Sequence, residues 1–250
     1  MAEFGVDEAG KGPVLGSLFA AAVVVDPEAL PDDVGDSKGI DPERRSELAA
    51  TVRSVADAVG VAEVPVDRID DEGTDMNSLT VAAHAEALDE AVGDLDGVDG
   101  PLTGYVDAGD TNAVRFERRV ENATAAAVDA RGEHGADETY PAVGAASVVA
   151  KVERDAHVAV LADEYGDVGS GYPSDPATRE FLESYVAEHG DLPPCARASW
   201  KTSEDVLAAA SQSSLGEFEP DGGRVGPPDA KPDGGRTGPR PTTLDEFCDD

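Results

Sequence analysis

The chain is poor in lysine, aromatic residues and sulfur. Two cysteines, Cys195 and Cys248, are too few and too far apart for a disulfide framework or a zinc site. Histidine is equally sparse, and the four present show no metal-ligand spacing. His84, His157 and His189 fall in helical patterns and read as surface or core residues. No apolar run is long enough to cross a bilayer and no secretory leader is recognisable, so a soluble, cytoplasmic protein without membrane contact is expected. The sequon at Asn122 therefore carries no meaning. Aromatic residues make up only 5% of the 250 residues, and the apolar fraction of 40% is mostly Ala and Val. That fraction still supports a packed core and excludes global disorder.

What is abundant is acid. Fifty-three Asp and Glu oppose 19 Lys and Arg, a net charge of −34. In dilute buffer such a surface repels itself. In molar salt the Debye length falls to about 3 Å and the repulsion is screened. Because the acids are spread along the whole chain, a halophilic origin is the reading, ahead of an acidic interaction protein. Lysine is so rare that each one is informative. Lys11, Lys38, Lys151 and Lys201 sit in or beside motifs, whereas Lys231 lies in a low-complexity stretch.

Strands are expected at Ala2–Val6, Leu15–Val25, Gly60–Val66 and Gly104–Asp107, with an ambiguous one at Val128–His134. Helices are expected at Pro42–Val59, Met76–Val92, Thr111–Asn122, Pro141–Glu164 and Asp175–Glu188. Asp41 and Asp175 are natural N-caps, each followed by proline at the first helical position. Strands first and then alternation with helices indicate an α/β fold with a mixed sheet. Residues 1–210 read as one α/β domain with a C-terminal helical part. Residues 211–250 read as a flexible, disordered acidic tail, Pro- and Gly-rich, with an imperfect repeat at 220–227 and 232–239.

The most informative stretch is Gly5-Val-Asp-Glu-Ala-Gly-Lys-Gly-Pro13. Asp7 and Glu8 end a short apolar run, and a Gly-Lys-Gly turn follows. Adjacent side chains on a strand point to opposite faces, but at a frayed strand end both carboxylates can reach one cation. Gly10 and Gly12 let backbone approach a ligand, and Lys11 adds a positive charge. The segment nearly matches a phosphate-binding P-loop but lacks the final hydroxyl, and its acids would repel phosphate. A solvated acidic turn is the plain alternative. Asp107 ends the strand Tyr-Val-Asp, and Asp137 precedes the long helix. Brought together, these four acids would repel one another without a cation. Oxygen-only donors suit Mg2+ or Mn2+, and two-metal phosphoryl transfer is the natural chemistry.

Several motifs in order resemble type 2 ribonuclease H (ribonuclease HII) over residues 3–203. They are the opening nonapeptide, Asp36-Ser-Lys38, Tyr105-Val-Asp-Ala-Gly-Asp110, the run from Ala136 to Asp155, and Gly169-Ser-Gly-Tyr-Pro-Ser-Asp175. The resemblance implies a ribonuclease H-like mixed sheet flanked by helices. It also implies cleavage of RNA in RNA–DNA hybrids, and of single ribonucleotides in duplex DNA, to 5′-phosphate and 3′-hydroxyl ends. It places the catalytic, metal-binding acids on Asp7, Glu8, Asp107 and Asp137, with Glu138 adjoining the last. Gly10, Lys11 and Gly12 would read the ribose 2′-hydroxyl through backbone. Lys11 stands where many relatives have Arg, keeping the charge but losing the planar fork. Tyr172 would stack on a sugar, although out of context it reads as a buried turn aromatic. Ser37 and Lys38 would contact phosphate, while Lys151 and Arg154 are equally readable as structural. With so acidic a chain, binding would rest on metals, 2′-hydroxyl hydrogen bonds and stacking rather than on counterion release.

In the tail, Gln212-Ser-Ser-Leu215-Gly-Glu-Phe218 resembles the motif by which replication proteins bind the sliding clamp. Leu244 and Phe247 repeat the spacing at the terminus without the glutamine. Such spacing would set an apolar plug on one helical turn. The expected protein is thus a monomeric nuclease with RNA–DNA hybrid as substrate and the clamp as partner. The alternative is a non-catalytic hybrid-binding or clamp-tethered adaptor.

Overall fold

The computed structural model describes residues 1–36, 40–95 and 100–216. Among these, five strands form one mixed sheet: β1 (Glu3–Ala9), β2 (Leu18–Val25), β3 (Ala58–Val64), β4 (Leu102–Asp107) and β5 (Val128–Glu133), in the order β3-β2-β1-β4-β5. The first three run antiparallel, while β4 joins β1 and β5 joins β4 in parallel. The helices are α1 (Pro42–Val55), α2 (Val66–Ile69), α3 (Met76–Gly93), α4 (Ala113–Ala123), α5 (Ala136–Thr139), α6 (Pro141–Tyr165), α7 (Pro176–His189) and α8 (Lys201–Gly216). No described helix is long and apolar enough to cross a membrane.

Strand alternation sorts the core into two layers. Phe4, Val6, Leu18, Ala20 and Ala22 pack against α3 and α4. Ala21, Val23 and Val25 pack against α1 and the alanine-rich first half of α6. Every residue of β2 is buried, as expected of a central strand covered on both faces. A third apolar cluster joins the outer half of α6 to α7, α8 and the segment after β1, through Leu15, Leu161, Leu182 and Val206.

Several boundaries differ from the sequence reading. β1 continues through Ala9, so Asp7 and Glu8 lie inside the ladder, opposite Ala21 and Ala20, and not at a frayed end. Acids have poor strand propensity, but the antiparallel pairing with β2 overrides it. The second strand begins at Leu18, because Leu15 bridges instead to Ala196. α1 stops at Val55, and the apolar residues after it begin β3. α8 extends through Gly216, so residues 211–216, assigned to the tail by composition, are helical. Ser37, Lys38, Phe218, Leu244 and Phe247 lie outside the described residues, as does the side chain of Leu215.

Glutamates close both sheet rims. Glu90 of α3 accepts from the Val61 amide on edge strand β3 at 2.7 Å. On edge strand β5, Glu121 and Glu117 of α4 accept from the Ala130 and Gly132 amides at 3.0 and 2.9 Å.

Gly5 sets the approach of α6. A Cβ there would stand 2.1 Å from the Ala142 carbonyl carbon and 2.2 Å from the Val143 nitrogen, both rigid backbone. Gly5→Ala should therefore force α6 off the sheet and cost about 1–3 kcal/mol or more. Denaturant unfolding in molar KCl checks this, and unchanged stability would show that the helix can yield.

Candidate metal and nucleic-acid site

The parallel pairing of β1 and β4 aligns Val6 with Val106, which puts Asp7 and Asp107 side by side at the carboxyl ends of neighbouring strands. α5 follows β5 and brings Asp137 to the same end. Asp137 is buried and Glu138 is exposed. The four carboxylates feel one another. Burial pushes the Asp7 carboxyl well above the usual range, and the charges of Glu8 and Asp107 add to it. Asp107 is raised by burial and by the charges of Asp137 and Glu8, against an opposing hydrogen bond from the Ala136 amide at 2.9 Å.

Because β1 is a true strand, its two acids face opposite layers. Asp7 turns toward α6, where Ser147 donates to it. Lys151, one helical turn on, donates to the Ser147 hydroxyl at 2.8 Å. Asp7 also accepts from the Glu8 amide at 2.7 Å. Glu8 turns toward α3, where the fully buried His84 meets its carboxylate at 2.8 Å. His84 Nδ1 has no hydrogen-bond partner among the described residues. The less costly arrangement leaves Nδ1 unprotonated and makes Nε2–H the donor to Glu8. His84 was legible only as a helix residue, since nothing in its neighbours points to Glu8.

As the side chains stand, no group of three or more His, Cys, Asp or Glu among the described residues forms a metal shell. The carboxylates of Asp7, Glu8 and Asp107 are instead engaged with Ser147, His84 and backbone amides. The donor chemistry nevertheless fits a hard divalent cation: oxygen ligands only, from three segments, with mutual repulsion that a cation would relieve.

Beside the acids runs a cleft of about 430 Å3, lined by Glu8, the turn Gly10–Gly12, Arg45, Lys151, Arg154 and Tyr172. Bases are scarce in this chain, and this cleft gathers four, Lys11 included, with Asp155 paired to Arg45 at 2.7 Å. Gly10 has φ +93°, and a Cβ there would meet the Ser17 carbonyl oxygen at 2.8 Å, so only glycine fits. Gly12 faces the Tyr172 ring, and its Cβ would stand 3.6 Å from that ring. Tyr172 is 40% exposed, not buried as a turn aromatic would be. The Arg154 guanidinium lies 5.0 Å from its ring centroid and donates to the Ser170 carbonyl. Lys11 folds toward α3, donating to Asn77 at 3.2 Å and to the Gly109 carbonyl. Gln212 is exposed on α8, about 200 residues along the chain from the glycine turn.

The raised Asp7 carboxyl predicts how the metal-free protein responds to pH. In the unfolded chain this group ionises near the ordinary value, while in the fold it stays protonated to higher pH. Between the two values the unfolded state binds fewer protons, so folding stability falls as pH rises through that window. Asp7→Asn keeps the hydrogen-bond acceptor but never ionises. With chelator present in molar KCl, it should be more stable than the parent at neutral pH and equal to it at acid pH. Parallel melting curves at all pH values would contradict the buried charge.

Known proteins resemble this chain in sequence and in fold. The sequence model of the family described as Ribonuclease HII matches residues 4–203. The ribonuclease HII of Haloarcula marismortui is 64% identical over 215 residues, covering 86% of this chain and 99% of that protein. Ribonuclease H2 of Pyrococcus horikoshii superposes with a TM-score of 0.75 at 34% identity, covering 85% of this chain and 100% of the other. The ribonuclease HII of Archaeoglobus fulgidus, solved as a complex with PCNA, gives a TM-score of 0.72 at 37% identity, covering 80% of this chain and 96% of the other. With a match across most of its length and nearly the whole of its relatives, this chain belongs to the ribonuclease HII family and is a metal-dependent endoribonuclease of RNA–DNA hybrids.

Proposed function

We propose that Asp7, Glu8, Asp107 and Asp137 hold two divalent ions, Mg2+ or Mn2+, and that the cleft beside them takes the scissile strand of a duplex containing ribonucleotides. The observation that carries this reading is the coupling of four carboxylates from three segments beside a glycine turn and an exposed tyrosine. When bound, the ions would activate water for in-line attack and stabilise the leaving 3′-oxygen, giving 5′-phosphate and 3′-hydroxyl ends. The protein's own part is placement. His84 holds the Glu8 carboxylate and Ser147 holds that of Asp7, which fixes the two oxygens that β1 sends to opposite faces. The turn Gly10–Gly12 offers backbone amides to a 2′-hydroxyl, which DNA lacks. Tyr172, backed by Arg154, offers a stacking face to the neighbouring sugar. Lys151 and Arg154 put positive charge along the strand's path, where phosphates would lie. Single ribonucleotides in DNA and longer hybrids both present the required 2′-hydroxyl.

The test is a labelled duplex with one ribonucleotide, incubated with Mg2+ or Mn2+ in molar KCl. Wild type should nick it beside the ribonucleotide. Asp7→Asn and Asp107→Asn should each lose about 10²–10³-fold or more in kcat. Tyr172→Ala should mainly raise KM. An uncut duplex that is nonetheless bound would favour the non-catalytic adaptor.

A second reading concerns the C-terminal part. Gln212 is solvent-exposed near the end of α8, in a motif that resembles clamp-binding segments, and a related ribonuclease HII was solved with PCNA. We propose that Gln212, Leu215 and Phe218, or Leu244 and Phe247, tether this enzyme to the sliding clamp, raising its local concentration on DNA. Full-length protein should capture the clamp, whereas Leu215→Ala/Phe218→Ala or Leu244→Ala/Phe247→Ala should weaken capture. Equal capture by both double variants and wild type would remove these residues from the interface.

A further inference from the structure

Arg197 is the largest fully buried side chain, yet none of its hydrogen bonds goes to a carboxylate. All three are to backbone carbonyls of the segment after β1. Nη2 donates to Gly10 at 2.6 Å, Nη1 to Lys11 at 3.1 Å, and Nε to Gly16 at 2.9 Å. Trp200, whose ring lies 4.8 Å from the guanidinium, donates through Nε1 to the Gly12 carbonyl at 3.3 Å. Carbonyls 10, 11, 12 and 16 are thus all engaged from one side, by two residues nearly two hundred positions downstream.

The segment carrying Arg197 is itself fixed. Asp70, after α2, accepts from the Ala198 and Ser199 amides at 2.7 and 3.0 Å and from the Ser199 hydroxyl. The Arg197 amide donates to the Val14 carbonyl at 2.8 Å. Burial lowers the guanidinium to about 10, which leaves it charged at neutral pH.

The peptide plane turns this into a statement about the cleft. In a trans peptide the N–H points opposite to the C=O. Holding the Gly10 and Lys11 carbonyls on Arg197 therefore aims the Lys11 and Gly12 amides the other way, toward the cleft that this turn lines with Tyr172. A cation behind those carbonyls also polarises the two peptides and strengthens their N–H groups as donors. We infer that Arg197, assisted by Trp200, is a specificity-determining positioning residue that orients the amides of the Gly10–Gly12 turn for a ribose 2′-hydroxyl. This rests on the proposed reading of the turn as the ribonucleotide reader. Lysine could keep the charge here but not the three-pronged geometry.

The experiment compares two duplexes, one all DNA and one with a single ribonucleotide, bound to full-length protein in molar KCl with chelator so that neither is cut. Fluorescence anisotropy gives both Kd values for wild type, Arg197→Lys and Trp200→Phe, with melting temperatures recorded alongside. Wild type should prefer the ribonucleotide duplex. Arg197→Lys should shrink that preference about tenfold and Trp200→Phe about threefold, with affinity for the all-DNA duplex unchanged. Wild type showing no preference would sink the reading of the turn itself. A wild-type preference that both variants retain would sink the role of Arg197 alone. Equal loss of affinity for both duplexes would reduce Arg197 to general support of the fold and also overturn the inference.

Discussion

Asp7 is buried in a packed sheet layer with Glu8 next to it in the chain and Asp107 across the strand boundary, and burial makes negative charge on the two aspartates costly. Much of the surrounding architecture can be understood as a response. Ser147 and the Glu8 amide donate to Asp7, His84 donates to Glu8, and the Ala136 amide donates to Asp107. Each donor comes from a different part of the chain. The α3 layer supplies one, the α6 layer another, the first residue of α5 a third and β1 itself the fourth. Gly5 matters for the same reason, since it lets α6 come close enough for Ser147 to reach its partner. The hydrogen bonds hold the carboxylates apart but do not neutralise them, and the remaining cost is what a divalent cation would relieve.

Charge outside the site follows a different rule. The net charge of −34 spreads acid over the surface, where bases such as Arg44, Arg68 and Arg115 pair with it. Four other bases, Lys11, Arg45, Lys151 and Arg154, line one cleft and outnumber its two acids, Glu8 and Asp155. In molar salt the distant acids are screened within a few ångströms, while groups in direct contact with a ligand are not. An acidic protein can therefore keep a local surface suited to a polyanion. The interactions left to do the recognising are short-range: backbone amides, an aromatic face and charge-assisted hydrogen bonds.

Much of this was legible in the sequence, for identifiable reasons. β2 is an unbroken apolar run, α3 and α6 carry long apolar patterns, and Asp41 and Asp175 cap their helices through side-chain hydrogen bonds. The acids stood out because they end apolar strands, and the glycine turn stood out through its composition. Local reading failed where distant chain decides. Asp7 and Glu8 look like a strand end until β2 pairs alongside them. His84 sits on an apolar helix face with no local sign of its partner 76 residues away. Arg197 is one more basic residue until the fold brings it under a turn 187 residues earlier. Tyr172 could not be told from a core aromatic without knowing which side of its turn faces the cleft.

The glutamates on the sheet rims carry a wider meaning. Edge strands expose amides that can recruit a strand from another molecule. Glu90, Glu117 and Glu121 cover those amides with carboxylates, so the same residue type that hydrates the surface in brine also seals the sheet. Colloidal stability and protection from intermolecular β-pairing thus draw on one residue type.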